Sequence, residues 1–134
     1  MERGKPVKHA GLAIVLLAGV VSVHADDIVE PEDIAAIRAS ASLGDTAAQM
    51  TLGEMFYEGK NVPKSNAKAV LWYLMAAEHG EAKAQTIVGL FYLAGDGVRQ
   101  DVALGEKWLH RASAQGDPTA QRQLELMKQK ATGE

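Results

Sequence analysis

The sequence contains no cysteine in its 134 residues. This excludes disulfides, thiol nucleophiles, cysteine-ligated zinc and a lipidated cysteine together. Aromatic residues are scarce, at 5%, and alanine and leucine supply most of the apolar volume. That balance suits helices better than sheets, where aromatic and β-branched side chains gather. Basic residues are not in excess: 14 Lys and Arg stand against 17 Asp and Glu, for a net charge of −3. A large cationic footprint for nucleic acid is therefore excluded. No apolar run reaches the ~20 residues that a membrane-spanning helix needs. What remains is a chain that is 47% hydrophobic. That share supports a packed core and excludes wholesale disorder.

Residues 1–25, MERGKPVKHAGLAIVLLAGVVSVHA, have the three-part layout of a secretory signal peptide. Arg3, Lys5 and Lys8 supply the basic start, and Ala10 to Val23 is uncharged. Val23 and Ala25 occupy the small-residue positions before a cleavage point, with Asp26 following. The expectation is export by the general route, to a bacterial periplasm or the exterior, after cleavage near Ala25. An uncleaved membrane anchor is the alternative, and it would be the only membrane contact.

The rest of the chain repeats every 36 residues. Gly44, Gly80 and Gly116 are in phase, as are Ala48, Ala84 and Ala120, and Gln49, Gln85 and Gln121. Gly53 with Gly89, Gly59 with Gly95, Val62 with Val98, Ala67 with Ala103, Trp72 with Trp108 and Ala76 with Ala112 extend the match. A fixed period of this length marks a repeat architecture. Each copy reads as two helices, near 45–58 and 65–79, then near 81–94 and 101–115. Apolar residues recur at spacings of three and four, as in Ala48, Leu52, Met55 and Phe56. Gly59 and Gly95 suit the left-handed cap that ends a helix. Ser65 and Asp101 suit the N-cap of the second helix. Asp117-Pro118 reads as a cap followed by a first-turn proline. Residues 32–43 match the phase of a second helix, and 117–131 that of a first. The expected organisation is a signal peptide at 1–25 and a half repeat at 26–43. Full repeats at 44–79 and 80–115 follow, then a capping half repeat at 116–134.

The segments AAQMTLGEMFYEGKNVPKSNAKAVLWYLMAAEHG and AKAQTIVGLFYLAGDGVRQDVALGEKWLHRASAQG resemble the Sel-one-like repeat (SLR) family, relatives of tetratricopeptide repeats. The resemblance implies an all-α fold, a right-handed αα-superhelix with about six helices. It also implies an adaptor or regulator that binds another protein or peptide, not an enzyme. Three departures stand out. Asn61 replaces a loop glycine, and asparagine tolerates positive φ next best. Gly105 replaces a helix-favouring alanine and is expected to soften the second repeat by up to ~1 kcal/mol. Glu125 stands in phase with Gly53 and Gly89, where a polar terminal helix is expected to face water.

Candidate chemistry is sparse. Ser65-Asn66-Ala67-Lys68 spells S-x-x-K, the nucleophile motif of serine β-lactamases. Some SLR proteins have been linked to β-lactam binding, so a small hydrolase-like protein using Ser65 and Lys68 is one alternative. An N-cap role explains Ser65 without it, and no S-D-N or K-T-G element follows. His79 and His110 are out of phase with each other and form no ligand pair. No metal or cofactor is expected. The remaining candidate is the concave face of the superhelix. By resemblance it presents Met50, Glu54 and Tyr57 in the first copy. Thr86, Leu90 and Leu93 follow in the second, and Arg122 and Leu126 in the half copy. A mixed apolar and charged groove suits an extended peptide or a partner helix. The alternative is that these residues pack against a neighbouring helix, with the phase one residue off. A purely structural subunit of an envelope complex is the third functional reading.

Overall fold

Most helix boundaries in the repeat region have a local chemical cause. In the computed structural model, which describes residues 31–133, there are six helices and no strand among the described residues. They are α1 (Glu32–Ser42), α2 (Thr46–Glu58), α3 (Asn66–Glu78), α4 (Ala82–Ala94), α5 (Val102–Ala114) and α6 (Pro118–Thr132). The signal-peptide reading of 1–25 lies outside the described residues. None of the described helices is long and apolar enough to cross a membrane.

Asp45 caps α2, its carboxylate accepting from the Ala47 and Ala48 amides at 3.0 and 3.2 Å. Ser65 caps α3 through the Lys68 amide, and Asp101 caps α5 through the Leu104 amide. Asp117 caps α6 through the Ala120 amide, with Pro118 in the first turn, where its missing N–H costs nothing. Glu81 precedes α4 with no side-chain capping bond. At the other end, Gly59 and Gly95 take φ of 72° and 70°, and their amides donate to Met55 O and Phe91 O. The loops are then clamped by equivalent bonds one period apart, Ser65 N to Phe56 O and Asp101 N to Tyr92 O.

Consecutive helices pack on one another, α2 on α3, α3 on α4, α4 on α5 and α5 on α6. Buried alanines at 69, 76, 77 and 84 sit among Phe56, Val70, Tyr73, Val88, Phe91 and Trp108. Small side chains let the helices come close, and the large ones fill the remaining space. A second cluster joins Leu109, Ala112 and Ala120 with the half-buried Leu90, Leu93, Leu124 and Met127. Trp108 is buried under the Arg111 guanidinium, 4.6 Å from the ring centroid, and Trp72 packs half-buried on the main cluster.

The in-phase glutamines join one helical pair to the next. Gln49 Nε2 donates to Ala41 O at 3.0 Å, and Gln85 Nε2 to Ala77 O at 3.2 Å. Gln121 Nε2 donates to Ser113 O at 3.4 Å. Each reaches back eight residues to a carbonyl in the last turn of the preceding helix. Each of those carbonyls also accepts from a glycine amide just beyond its helix, and the glutamine adds a second bond, buried at Gln49 and Gln85 and exposed at Gln121.

Gly105 departs from expectation. A Cβ there would stand 2.7 Å from Gly89 O and 3.0 Å from the Leu93 side chain. Gly89 is equally constrained, by Gly105 O at 2.9 Å and by Leu109 at 2.8 Å. The two glycines form a close backbone crossing of α4 and α5. Gly105 is therefore a packing requirement and not a soft spot. The first repeat solves the same crossing differently: Gly53 makes room for the Tyr73 ring, 2.6 Å from its would-be Cβ. Asn61 has φ 62°, as its replacement of glycine implies. Glu125 is exposed on α6, as expected of a polar terminal helix.

Candidate functional site

An apolar recess lies beside α3, walled by residues of α2 and α4. Its volume is about 340 Å³, and it is lined by Tyr57, Tyr73, Ile87, Leu90, Phe91, Ala94 and Asp96. Three aromatic rings form its wall. Tyr57 meets Phe91 edge-on, with centroids 5.7 Å apart, and Tyr73 stacks near Phe91 at 6.2 Å. Phe91 and Tyr73 are buried, whereas Tyr57 is 45% exposed and marks the rim. The position of Tyr73 depends on Gly53, because any larger residue there would displace its ring.

The rim is acidic. The Asp96 carboxylate is fixed by the Asn66 side-chain amide, which donates to it at 2.7 Å. Burial pushes the Tyr73 phenol up to about 12, and the nearby carboxylates of Glu54 and Glu58 push it the same way. It stays a neutral phenol at physiological pH. Lys64 places its ammonium 5.7 Å from the Tyr57 ring centroid, and Lys68 places its own 5.4 Å from that of Phe56. Arg38 reaches the same Phe56 ring at 5.9 Å.

Two of the eight residues expected on the concave face line this recess, Tyr57 and Leu90. Glu54 and Arg122 are exposed, and Leu126 is 49% exposed. Met50 is half-buried against the main core, and Leu93 is half-buried in the C-terminal cluster, where it presses on Gly105. Thr86 was expected on the exposed face and is instead 4% exposed. Its hydroxyl donates to Ala82 O at 3.2 Å, one turn back, so it is satisfied without solvent. The sequence reading missed Tyr73, Ile87, Phe91, Ala94 and Asp96. Asp96 offered a signal, since it breaks the repeat at the position of Lys60. The others conform to helical periodicity, and nothing in the sequence separates them from ordinary core.

The S-x-x-K segment forms a helix start. Ser65 Oγ accepts from the Lys68 amide at 3.2 Å, and the Lys68 ammonium is over Phe56. His79 Nδ1 is 2.8 Å from Met75 O, and His110 Nε2 is 3.7 Å from Glu106. No group of three or more His, Asp or Glu suited to a metal occurs among the described residues. A second trough, about 630 Å³, lies between α5 and α6 and includes Val102, Glu106, His110, Gln121, Leu124 and Lys128.

The six helices, paired with a 36-residue period and joined by glutamine bonds, define an all-α helical-repeat protein of the αα-superhelix class. The chain belongs to the Sel1 repeat family: the family model matches residues 46–81 and 82–117. Solved structures agree. A Sel1 repeat protein from Oxalobacter formigenes is 34% identical with a TM-score of 0.67, over 75% of this chain and 76% of that one. A protective antigen of uropathogenic Escherichia coli with an SLR fold is 39% identical with a TM-score of 0.61. That match covers 63% of this chain but only 18% of the antigen, so this chain spans a small part of that protein's length. Helicobacter pylori cysteine rich protein B, at 20% identity and a TM-score of 0.63, shares the fold over 87% of this chain and 90% of its own. A search of the curated proteins gave no match. Sel1 repeats are generally protein–protein interaction modules, and generally not catalytic.

Proposed function

We propose that this protein is an exported, non-catalytic adaptor. It holds an extended segment or helix of another cell-envelope protein along the face formed by α2, α4 and α6. The observation that supports this reading is the aromatic recess between α2 and α4, with a half-exposed tyrosine at its rim. A half-buried Leu90 adds an apolar side chain to its wall, and α6 exposes a further one at Leu126. Apolar anchors between charged residues are what a groove for a peptide requires. Export rests on the layout of residues 1–25.

The test is binding, not stability. Ala94 is exposed and lines the recess, so Ala94→Trp fills it from the rim. Purified wild type and Ala94→Trp would be cross-linked to envelope proteins, and the captured segment mapped by mass spectrometry. A segment cross-linked beside Tyr57 or Leu90 in wild type and lost in Ala94→Trp supports the reading. Equal capture by both folded proteins overturns it. Leu90→Asp is the harsher variant, and its thermal melt must accompany it because Leu90 also packs in the C-terminal cluster.

A further inference from the structure

We infer that the recess between α2 and α4 is a socket for a lysine or arginine side chain of the bound partner. This inference rests on the groove reading and names the chemistry that the groove selects. Three observations carry it. First, the wall is aromatic: Tyr57, Tyr73 and Phe91 present ring faces and edges around a volume of about 340 Å³. That is within the ~300–1,000 Å³ range of binding pockets. Such a wall takes the aliphatic stem of a long basic side chain and attracts its charged head.

Second, the rim supplies negative charge. Asp96 lines the recess, and the Asn66 amide holds its carboxylate in place. Glu54 and Glu58, both exposed on α2, act on the Tyr73 phenol inside the recess. Burial is the larger cause of that shift, and the two carboxylates add to it a field that favours a bound cation over a bound anion. Charge of this arrangement would steer basic segments to the groove and repel acidic ones.

Third, the Tyr57 ring already takes an ammonium. The chain's own Lys64 lies 5.7 Å from its centroid. Gly59 permits that approach, because a Cβ there would stand 3.0 Å from the Lys64 Cβ. No hydrogen bond engages the Tyr73 hydroxyl among the described residues, which leaves an acceptor for an N–H donor within the recess.

The experiment is an amide NMR titration of the full chain with four capped pentapeptides, Ac-AAXAA-NH2. X is lysine, arginine, norleucine or glutamate. The expected result is saturable shifts at Tyr57, Leu90, Ala94 and Asp96 with lysine and arginine. Binding of norleucine and glutamate should be at least about tenfold weaker, a difference of ~1.4 kcal/mol. Raising the salt should weaken the basic peptides. The isosteric triple variant Glu54→Gln, Glu58→Gln and Asp96→Asn should lose that preference while keeping the wild-type melting curve. Equal binding of norleucine at these amides overturns the cation socket and leaves the groove reading standing. No shift at these amides with any peptide also overturns the socket, and the Ala94→Trp cross-linking result then decides the groove reading separately.

Discussion

His79→Gln should stabilise the protein, and the second repeat shows why. Gln115 stands one period after His79. Its Nε2 donates to Gly80 O at 3.0 Å and to Gln85 Oε1 at 2.9 Å. The equivalent acceptors in the first repeat are Gly44 O and Gln49 Oε1. Gln49 is 0% exposed, and its Oε1 has no hydrogen-bond partner among the described residues. A buried acceptor without a partner costs about 1–3 kcal/mol. His79 does not reach it, because its Nδ1 is directed to Met75 O. A glutamine at 79 would satisfy Gln49 in the manner seen at 115. Against that gain stand the ordering of a longer side chain, up to ~2 kcal/mol if fully fixed, and the loss of one exposed bond, about 0.5 kcal/mol. With the gain and the ordering cost each at the middle of its range, the expected net gain is about 0.5 kcal/mol, or roughly 2–4 °C in Tm. Differential scanning calorimetry on both proteins measures it. The reciprocal Gln115→His should destabilise, since it leaves Gln85 Oε1 without its donor. In a Gln49→Met background, His79→Gln should gain nothing. If His79→Gln leaves Tm unchanged while Gln115→His lowers it, the equivalence of the two sites is refuted.

Gly105→Ala should destabilise by about 1–2 kcal/mol despite its better helix propensity, because overpacking against Gly89 O outweighs the ~1 kcal/mol gain; a denaturant melt shows the sign. Gly97→Ala should cost about 2 kcal/mol or more, since φ is +65° and its Cβ would lie 2.5 Å from the Asn66 backbone, whereas Asn61→Gly should change stability by less than about 0.5 kcal/mol. Ser65→Ala should cost about 1 kcal/mol as a lost cap, and intact-mass analysis of wild type with a β-lactam should show no adduct. The Asp45 carboxyl is held below its usual range, first by the Ser40 hydroxyl at 2.7 Å and then by the Ala48 amide. Its contribution is therefore present above the unfolded value and lost as pH falls through the lowered one; Ser40→Ala should raise the Asp45 value in a carbon-detected NMR titration.

The repeats were legible because their signals are local and duplicated. Caps at Ser65, Asp101 and Asp117 and left-handed glycines at 59 and 95 each follow from one residue and its neighbours. The period then confirms each assignment with an independent copy. The site was legible only in part. Of the residues expected on the concave face, Tyr57 and Leu90 line the recess, Thr86 is buried, and the aromatic wall was not foreseen. Helical periodicity fixes which third of a helix is apolar, yet recess and core share that third. Whether Phe91 ends in packing or beside a cavity depends on Tyr73, and Tyr73 depends on the absence of a Cβ at Gly53. That is a three-body condition across two helices and a neighbouring repeat.

Departures from the period prove more informative than the period itself. Asn61 and Gly97 share a left-handed backbone, but only Gly97 presses on a preceding helix start, at Asn66 and Ala67. Asparagine is therefore tolerated at 61 for the backbone alone, and glycine is required at 97 for space as well. Ala69 and Tyr73 in the first repeat are replaced by Gly105 and Leu109 in the second. The exchange moves volume from the backbone crossing into the ring of Tyr73, and that ring becomes a wall of the recess. In the loop before, Asp96 replaces Lys60 and places a carboxylate on the same recess. Each copy serves as the reference state for the other. Two of the differences between them, Tyr73 for Leu109 and Asp96 for Lys60, fall on the same recess, one supplying an aromatic wall and the other a carboxylate.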